Sequence, residues 1–170
     1  IQPVFVLDTF EIFVSNNGGG IVFSSSGKNI MTYNDVVTYE IIPNLGFKIK
    51  DVLIDNVSMG AIDSYTFKKV LKNYTFRVLF EVSKFEITSL ISKGGKIIPI
   101  NKQKITYKDS ITYTIIPDIG YSIYDVLIND ESIGVVNSYT FRNVLADQTI
   151  GAVFNLDTFV ITTVFGHGGK

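Results

Sequence analysis

The sequence predicts a mainly β protein made of tandem small β units, β-grasp-like or an irregular β-sandwich, with about six or seven short strands per repeat. Three observations carry this expectation. Ile42-Pro43-Asn44-Leu45-Gly46-Phe47 returns as Ile116-Pro117-Asp118-Ile119-Gly120-Tyr121, and Ser64-Tyr65-Thr66-Phe67 returns as Ser138-Tyr139-Thr140-Phe141, both offset by 74 positions (116 − 42 and 138 − 64). A fixed period of this length marks a tandem array of structural units. Apolar residues alternate with polar ones at period two through most of each copy, which is the signature of strands with one buried face. Finally, no stretch shows a sustained 3.6-residue pattern with caps.

The elements follow in order. Phe10, Ile12 and Val14 share one face of a first strand, as do Phe85, Ile87, Ser89 and Ile91, and then Phe159, Ile161, Thr163 and Phe165. The glycines Gly18-Gly19-Gly20 and Gly94-Gly95 that follow are expected to form a tight hairpin between the first two strands. Val37, Tyr39 and Ile41, with Ile111, Tyr113 and Ile115 in the second copy, form another strand. Pro43 or Pro117 closes it, because proline cannot donate to a ladder, and opens a turn to Gly46 or Gly120. A hairpin over Ile49–Asp55 and Val57–Gly60 carries Asp55-Asn56, or Asn129-Asp130, at its tip, where positive φ is needed. Gly60 and Gly134 lead to the Ser-Tyr-Thr-Phe strand. One short helical turn fits near Lys68–Lys72. Tyr74, Phe76, Val78 and Phe80, and again Gln148, Ile150, Ala152 and Phe154, face inward from the last strand.

Phe10, Phe85 and Phe159 align with spacings of 75 and 74. Residues 1–9 therefore match the last strand of a preceding repeat, 10–84 form repeat A, 85–158 repeat B, and 159–170 match the first strand of a following repeat. Only Glu81–Lys84 and Asn155–Thr158 separate a last strand from the next first one, so neighbouring repeats are expected to be closely coupled partners.

Composition narrows the function classes. The chain of 170 residues is 46% hydrophobic and 18% charged, with a net charge of −1 and no cysteine. A near-neutral chain offers no electrostatic case for nucleic acid. No apolar run approaches the ~18 residues of a membrane helix, so no membrane insertion is expected in this segment. Without cysteine there is neither disulfide nor thiol chemistry.

The ordered elements Gly19-Gly20, Ile42 to Phe47, Asp51 to Asp55, Ser58 to Gly60, Ser64 to Val70 and Thr75 to Phe80 have counterparts in Gly94-Gly95, Ile116 to Tyr121, Asp125 to Asn129, Ser132 to Gly134, Ser138 to Val144 and Thr149 to Phe154. This pattern resembles a divergent internalin-type B-repeat, and the likeness covers essentially the whole chain. The resemblance implies tandem arrangement in large secreted and cell-surface proteins of bacteria and some archaea, as stalks, adhesion modules or accessory modules beside enzyme domains. It also implies a β-grasp-like sheet, and it brings no shared catalytic residues.

The candidate sites are few. His167 has no cysteine or second histidine to share a metal, and the aligned residue in the previous repeat is Lys93. The glycine clusters lack the Lys-Ser/Thr and helix that a phosphate loop needs. Asp51 and Asp55, and Asp125 with Asn129, Asp130 and Glu131, supply fewer oxygens than calcium takes, and each of Asp51 and Asp125 suits a turn acceptor instead. Tyr33, Tyr39, Tyr65, Tyr107, Tyr113 and Tyr139 could stack on a sugar, yet Tyr39 and Tyr113 alternate in phase with core positions. Two glycosylation sequons stand at Asn56 and Asn73, where the second copy has Asp130 and Asp147.

No catalytic, cofactor-binding or metal residue is therefore nominated, and no enzyme is expected. The functional expectation is a structural tandem-repeat segment of a long extracellular or cell-surface protein, as a stalk, adhesin or fibre. Its expected partners are neighbouring repeats and other copies in a filament. The alternative is a carbohydrate- or polymer-binding accessory module whose partners are surface glycans.

Overall fold

Alternating apolar residues become strands only where a second layer covers their inner face, and here each unit supplies its own cover. The structure, a computed structural model, describes residue 2 and residues 5–90 and 92–163. The chain divides into two units, with the boundary between Ser83 and Lys84. The first contains β1 (Thr9–Asn16), β2 (Gly20–Ser24), β3 (Ile30–Thr32), β4 (Val37–Pro43), β5 (Phe47–Ile54), β6 (Val57–Ser58), β7 (Ser64–Phe67) and β8 (Tyr74–Val82). The second repeats them as β9 (Lys84–Ser89), β10 (Gly95–Ile98), β11 (Lys102–Thr106), β12 (Ile111–Pro117), β13 (Tyr121–Ile128), β14 (Glu131–Gly134), β15 (Ser138–Phe141) and β16 (Gln148–Leu156).

Each unit is a pair of sheets. A five-stranded sheet runs in the order β3-β1-β8-β5-β6, and a three-stranded sheet in the order β2-β4-β7; the second unit repeats this as β11-β9-β16-β13-β14 and β10-β12-β15. Every pairing is antiparallel except β1 with β8 and β9 with β16, where the first and last strands of a unit run parallel. Among the described residues there is no helix, so the β-grasp alternative gives way to a two-sheet unit. Among the described residues each unit has eight strands, more than the six or seven expected, because the pieces Ile30–Thr32 and Lys102–Thr106 add an edge strand to each large sheet.

The core lies between the two sheets of each unit. In the first, Ile12, Val52, Phe76 and Val78 of the large sheet meet Val37, Tyr39 and Ile41 of the small one. Tyr39 stacks on Phe76 with ring centroids 5.0 Å apart, and Phe67 meets Tyr39 edge-on at 6.1 Å. Such pairs add to the area term of burying large aromatic side chains. The second unit has Ile150 where Phe76 stands, and Tyr113 keeps only the edge contact with Phe141 at 5.8 Å. Burial pushes the Tyr39 and Tyr113 phenols up from their ordinary value. Each still has a hydrogen-bond acceptor, Asn29 Oδ1 for Tyr39 and the Ile87 carbonyl for Tyr113.

Three expectations need correction or qualification. The Gly18–Gly20 turn does not close a hairpin, because β1 belongs to the large sheet and β2 to the small one. It is a corner between layers, and the glycines serve close approach: a Cβ on Gly20 would lie 2.7 Å from the Ile42 carbonyl oxygen and run into the Phe80 ring. Gly95 stands in the same relation to Ile116 and Phe154. Lys68–Lys72 forms no helical turn. The fully buried Val70 exchanges backbone hydrogen bonds with Asn34 and Asp35, both at 3.0 Å, which pins the segment as an irregular plug. Lastly, residues 5–8 and 159–163 carry no strand, and Phe159, Val160 and Ile161 are each at least 86% exposed. A strand of the β1 type needs β3-type and β8-type neighbours, and the two described slots of that kind are filled by β1 and β9.

Candidate functional site

The acidic residues singled out by the sequence sit at the β5–β6 and β13–β14 hairpins. Asp55 and Asn56 take φ of 47° and 66°, and Asn129 and Asp130 take 51° and 67°, as a tight two-residue hairpin turn requires. Behind each tip the pairing with the last strand shifts register, β5 against β8 between Ile49 and Asp51 and β13 against β16 between Ile123 and Asp125. The Asp at that irregularity accepts from the returning strand. Asp51 Oδ1 takes the Ser58 hydroxyl at 2.7 Å and the Gly60 N–H at 3.1 Å; Asp125 takes Ser132 at 2.8 Å and Gly134 at 3.1 Å. These carboxylates serve as turn acceptors within their own hairpin.

Asp55 is held differently. Thr75 N–H donates to its Oδ1 at 2.9 Å and Lys72 Nζ pairs with its Oδ2 at 2.5 Å. The Lys72 hydrogen bond, then the Thr75 N–H, lowers the Asp55 carboxyl below its ordinary 3.8, and Asp55 in turn raises Lys72. In the second unit Asn129 Oδ1 accepts from Thr149 at the same 2.9 Å without a charge. Asp51 and Asp55 thus point to separate tasks, and among the described residues no three His, Cys, Asp or Glu side chains converge on one point.

The tyrosines also separate. Tyr39 and Tyr113 are 1% and 0% exposed and belong to the cores. Tyr65 and Tyr139 are half-buried against Phe67 and Phe141, each at 4.9 Å, and Tyr107 leans on Phe85 at 6.4 Å. Tyr33 and Tyr124 are exposed, and Lys50 holds the place of Tyr124 in the first unit. The two copies therefore share no exposed aromatic platform among the described residues.

His167 and the glycines after it lie outside the described residues. Asn56 is exposed at a hairpin tip. Asn73 is exposed as well, with its Oδ1 accepting the Glu11 N–H at 2.8 Å. A cleft of about 180 Å³ beside Leu90, Gly95, Ile97 and Ile100 is mainly apolar. A shallower, polar depression holds Glu86, Asp147 and Lys102; Lys102 bonds Glu86 at 2.9 Å and is raised chiefly by that bond. In the first recess the Ser89 hydroxyl donates to the Asn101 carbonyl and the Ser92 hydroxyl to the Ala152 carbonyl.

What the sequence reading missed is a set of contacts between first and last strands. Asn17 bonds the Phe80 backbone twice, donating to its carbonyl at 3.0 Å and accepting from its N–H at 2.8 Å. Asp147 Oδ1 accepts the Glu86 N–H at 2.8 Å, matching Asn73 and Glu11. The recurrence of an Asn or Asp at one repeat position was the available signal, since either residue offers the same oxygen.

Comparison with known proteins adds one partial likeness. The chain is 33% identical over 97 residues to reverse gyrase 1 of Sulfurisphaera tokodaii, covering 52% of this chain and 8% of that protein. No family model and no solved structure matches the chain. Among the described residues, no helix is long and apolar enough to cross a membrane.

Proposed function

We propose that this chain is a structural tandem-repeat segment of a long cell-surface protein, a stalk, adhesin or fibre without catalytic activity. One observation carries the reading: the same eight-stranded unit occurs twice, and Ser83 alone separates the last strand of the first copy from the first strand of the second. What recurs between copies is core and turn chemistry, Tyr39 with Tyr113, Asp51–Ser58 with Asp125–Ser132, and Gly20 with Gly95. Repetition selects for the unit itself, as in quasi-one-dimensional arrays whose purpose is length or surface.

The resemblance to internalin-type B-repeats supports the same reading, since such repeats occur in tandem in large secreted and cell-surface proteins. The likeness to part of reverse gyrase 1 covers too little of that protein to bring its activity here. Rotary-shadowed electron microscopy of the native polypeptide that carries this segment tests the proposal. Elongated strands or filaments are the expected image; a compact particle in every field would overturn it.

A further inference from the structure

Each unit begins and ends in one ladder. β1 and β8 lie side by side and parallel, with Ile12 opposite Tyr74 and Asn16 opposite Val78. β9 and β16 repeat the arrangement, with Ile87 opposite Gln148 and Ser89 opposite Ile150. In a parallel pair, the start of one strand and the end of the other lie at opposite ends of the ladder. Tension that enters a unit at the start of β1 and leaves at the end of β8 therefore runs along the strands. It shears the ladder, so that its hydrogen bonds are strained together instead of one after another.

Both ends of this ladder are secured by side chains. At the entry end Asn73 Oδ1 accepts the Glu11 N–H at 2.8 Å, and at the far end Asn17 makes its two bonds to Phe80 at 2.8 and 3.0 Å. The second unit has Asp147 on Glu86 at 2.8 Å, the Leu90 N–H on the Ile150 carbonyl at 2.8 Å, and the Ser92 hydroxyl on the Ala152 carbonyl. At the place of Asn17 the second unit has Ser92, whose single hydroxyl bond stands where Asn17 makes two.

We infer that β1–β8 and β9–β16 are mechanical clamps, which give each unit resistance to tension along the chain. The purpose of that resistance rests on the stalk reading, but the clamp is a property of each unit alone. It is tested on the full chain, whose lack of cysteine allows handles to be placed at will. Asp8→Cys with Lys84→Cys loads the first unit in shear; Asp8→Cys with Leu71→Cys pulls at one end of the same ladder and peels it.

Forced unfolding reports the unfolding rate, so the two handles compare barriers directly, and the shear pair is expected to need at least ~2-fold more force at one loading rate. Asn17→Ala lowers the shear force and leaves the peeling force nearly unchanged, because peeling reaches Asn17 last. If that variant does not fold by circular dichroism, Asn17→Ser, which copies the second unit, takes its place. Equal forces along both directions would overturn the clamp while leaving the stalk reading untouched. Conversely, a native protein found only inside cells would end the stalk reading and leave the direction dependence in place.

Discussion

Ser58 donates its hydroxyl to Asp51 Oδ1 across 2.7 Å, and Ser132 makes the same bond to Asp125 at 2.8 Å in the second unit. The pair holds the strand that returns from the hairpin, and with the Gly60 or Gly134 N–H it satisfies a carboxylate beside a register shift. Losing a charged acceptor that serves two donors costs about 1–3 kcal/mol. Asp51→Ala and Asp125→Ala are each expected to lower stability by that amount in denaturant melts, with Asn substitutions milder. Added calcium is expected to leave the melting temperature unchanged, since ligand binding to the folded state would raise it.

Acid should act unequally on the two units. Asp55 is held below its ordinary 3.8, first by Lys72 and then by the Thr75 N–H, whereas Asn129 makes the matching bond uncharged. A carboxyl with a lowered folded value adds stability above its unfolded value, and that stability disappears as pH falls through the folded one. The first unit is therefore expected to lose stability below about pH 4, where the Asp carboxyl begins to protonate in the unfolded chain. Asp55→Asn should flatten this acid limb in melts followed from pH 7 downward.

The corner glycines are expected to be intolerant of a methyl group. Gly20→Ala places a Cβ 2.7 Å from the Ile42 carbonyl and into the Phe80 ring, and Gly95→Ala repeats the collision at Ile116 and Phe154. Overpacking of this kind costs about 1–3 kcal/mol or more. Gly27→Ala, at φ 67° with open space around it, serves as the control and should cost only the strain of its backbone, about 1–2 kcal/mol. Urea titrations of the three variants check the order.

Phe76 tests the aromatic core of the first unit. It is fully buried and stacked on Tyr39, so Phe76→Ala should cost about 3–5 kcal/mol. Phe76→Ile installs the residue that stands at the same place in the second unit, Ile150, and is expected to cost less. Thermal unfolding of both variants measures the difference.

Much of the unit was legible in period two. The phase of Tyr39 with Val37 and Ile41 marked it as core, and Asp55-Asn56 marked a hairpin tip, because both signals are local. The sheet partition was not. Alternation says which face a residue takes, and it does not say which of two sheets a strand joins, so Gly18–Gly20 read as a hairpin when it turns between layers. The pairing of β1 with β8 joins residues such as Ile12 and Tyr74 that are far apart in the chain, and no local pattern encodes it. For the same reason no local pattern gives Asn17 and Asn73 their partners, although each closes one end of that ladder.

Gold-labelled antibody against this chain, imaged by electron microscopy on intact cells, measures the central claim most directly. A surface stalk or fibre predicts label on unpermeabilised cells, standing away from the envelope. Label that appears only after the cells are opened would contradict the account.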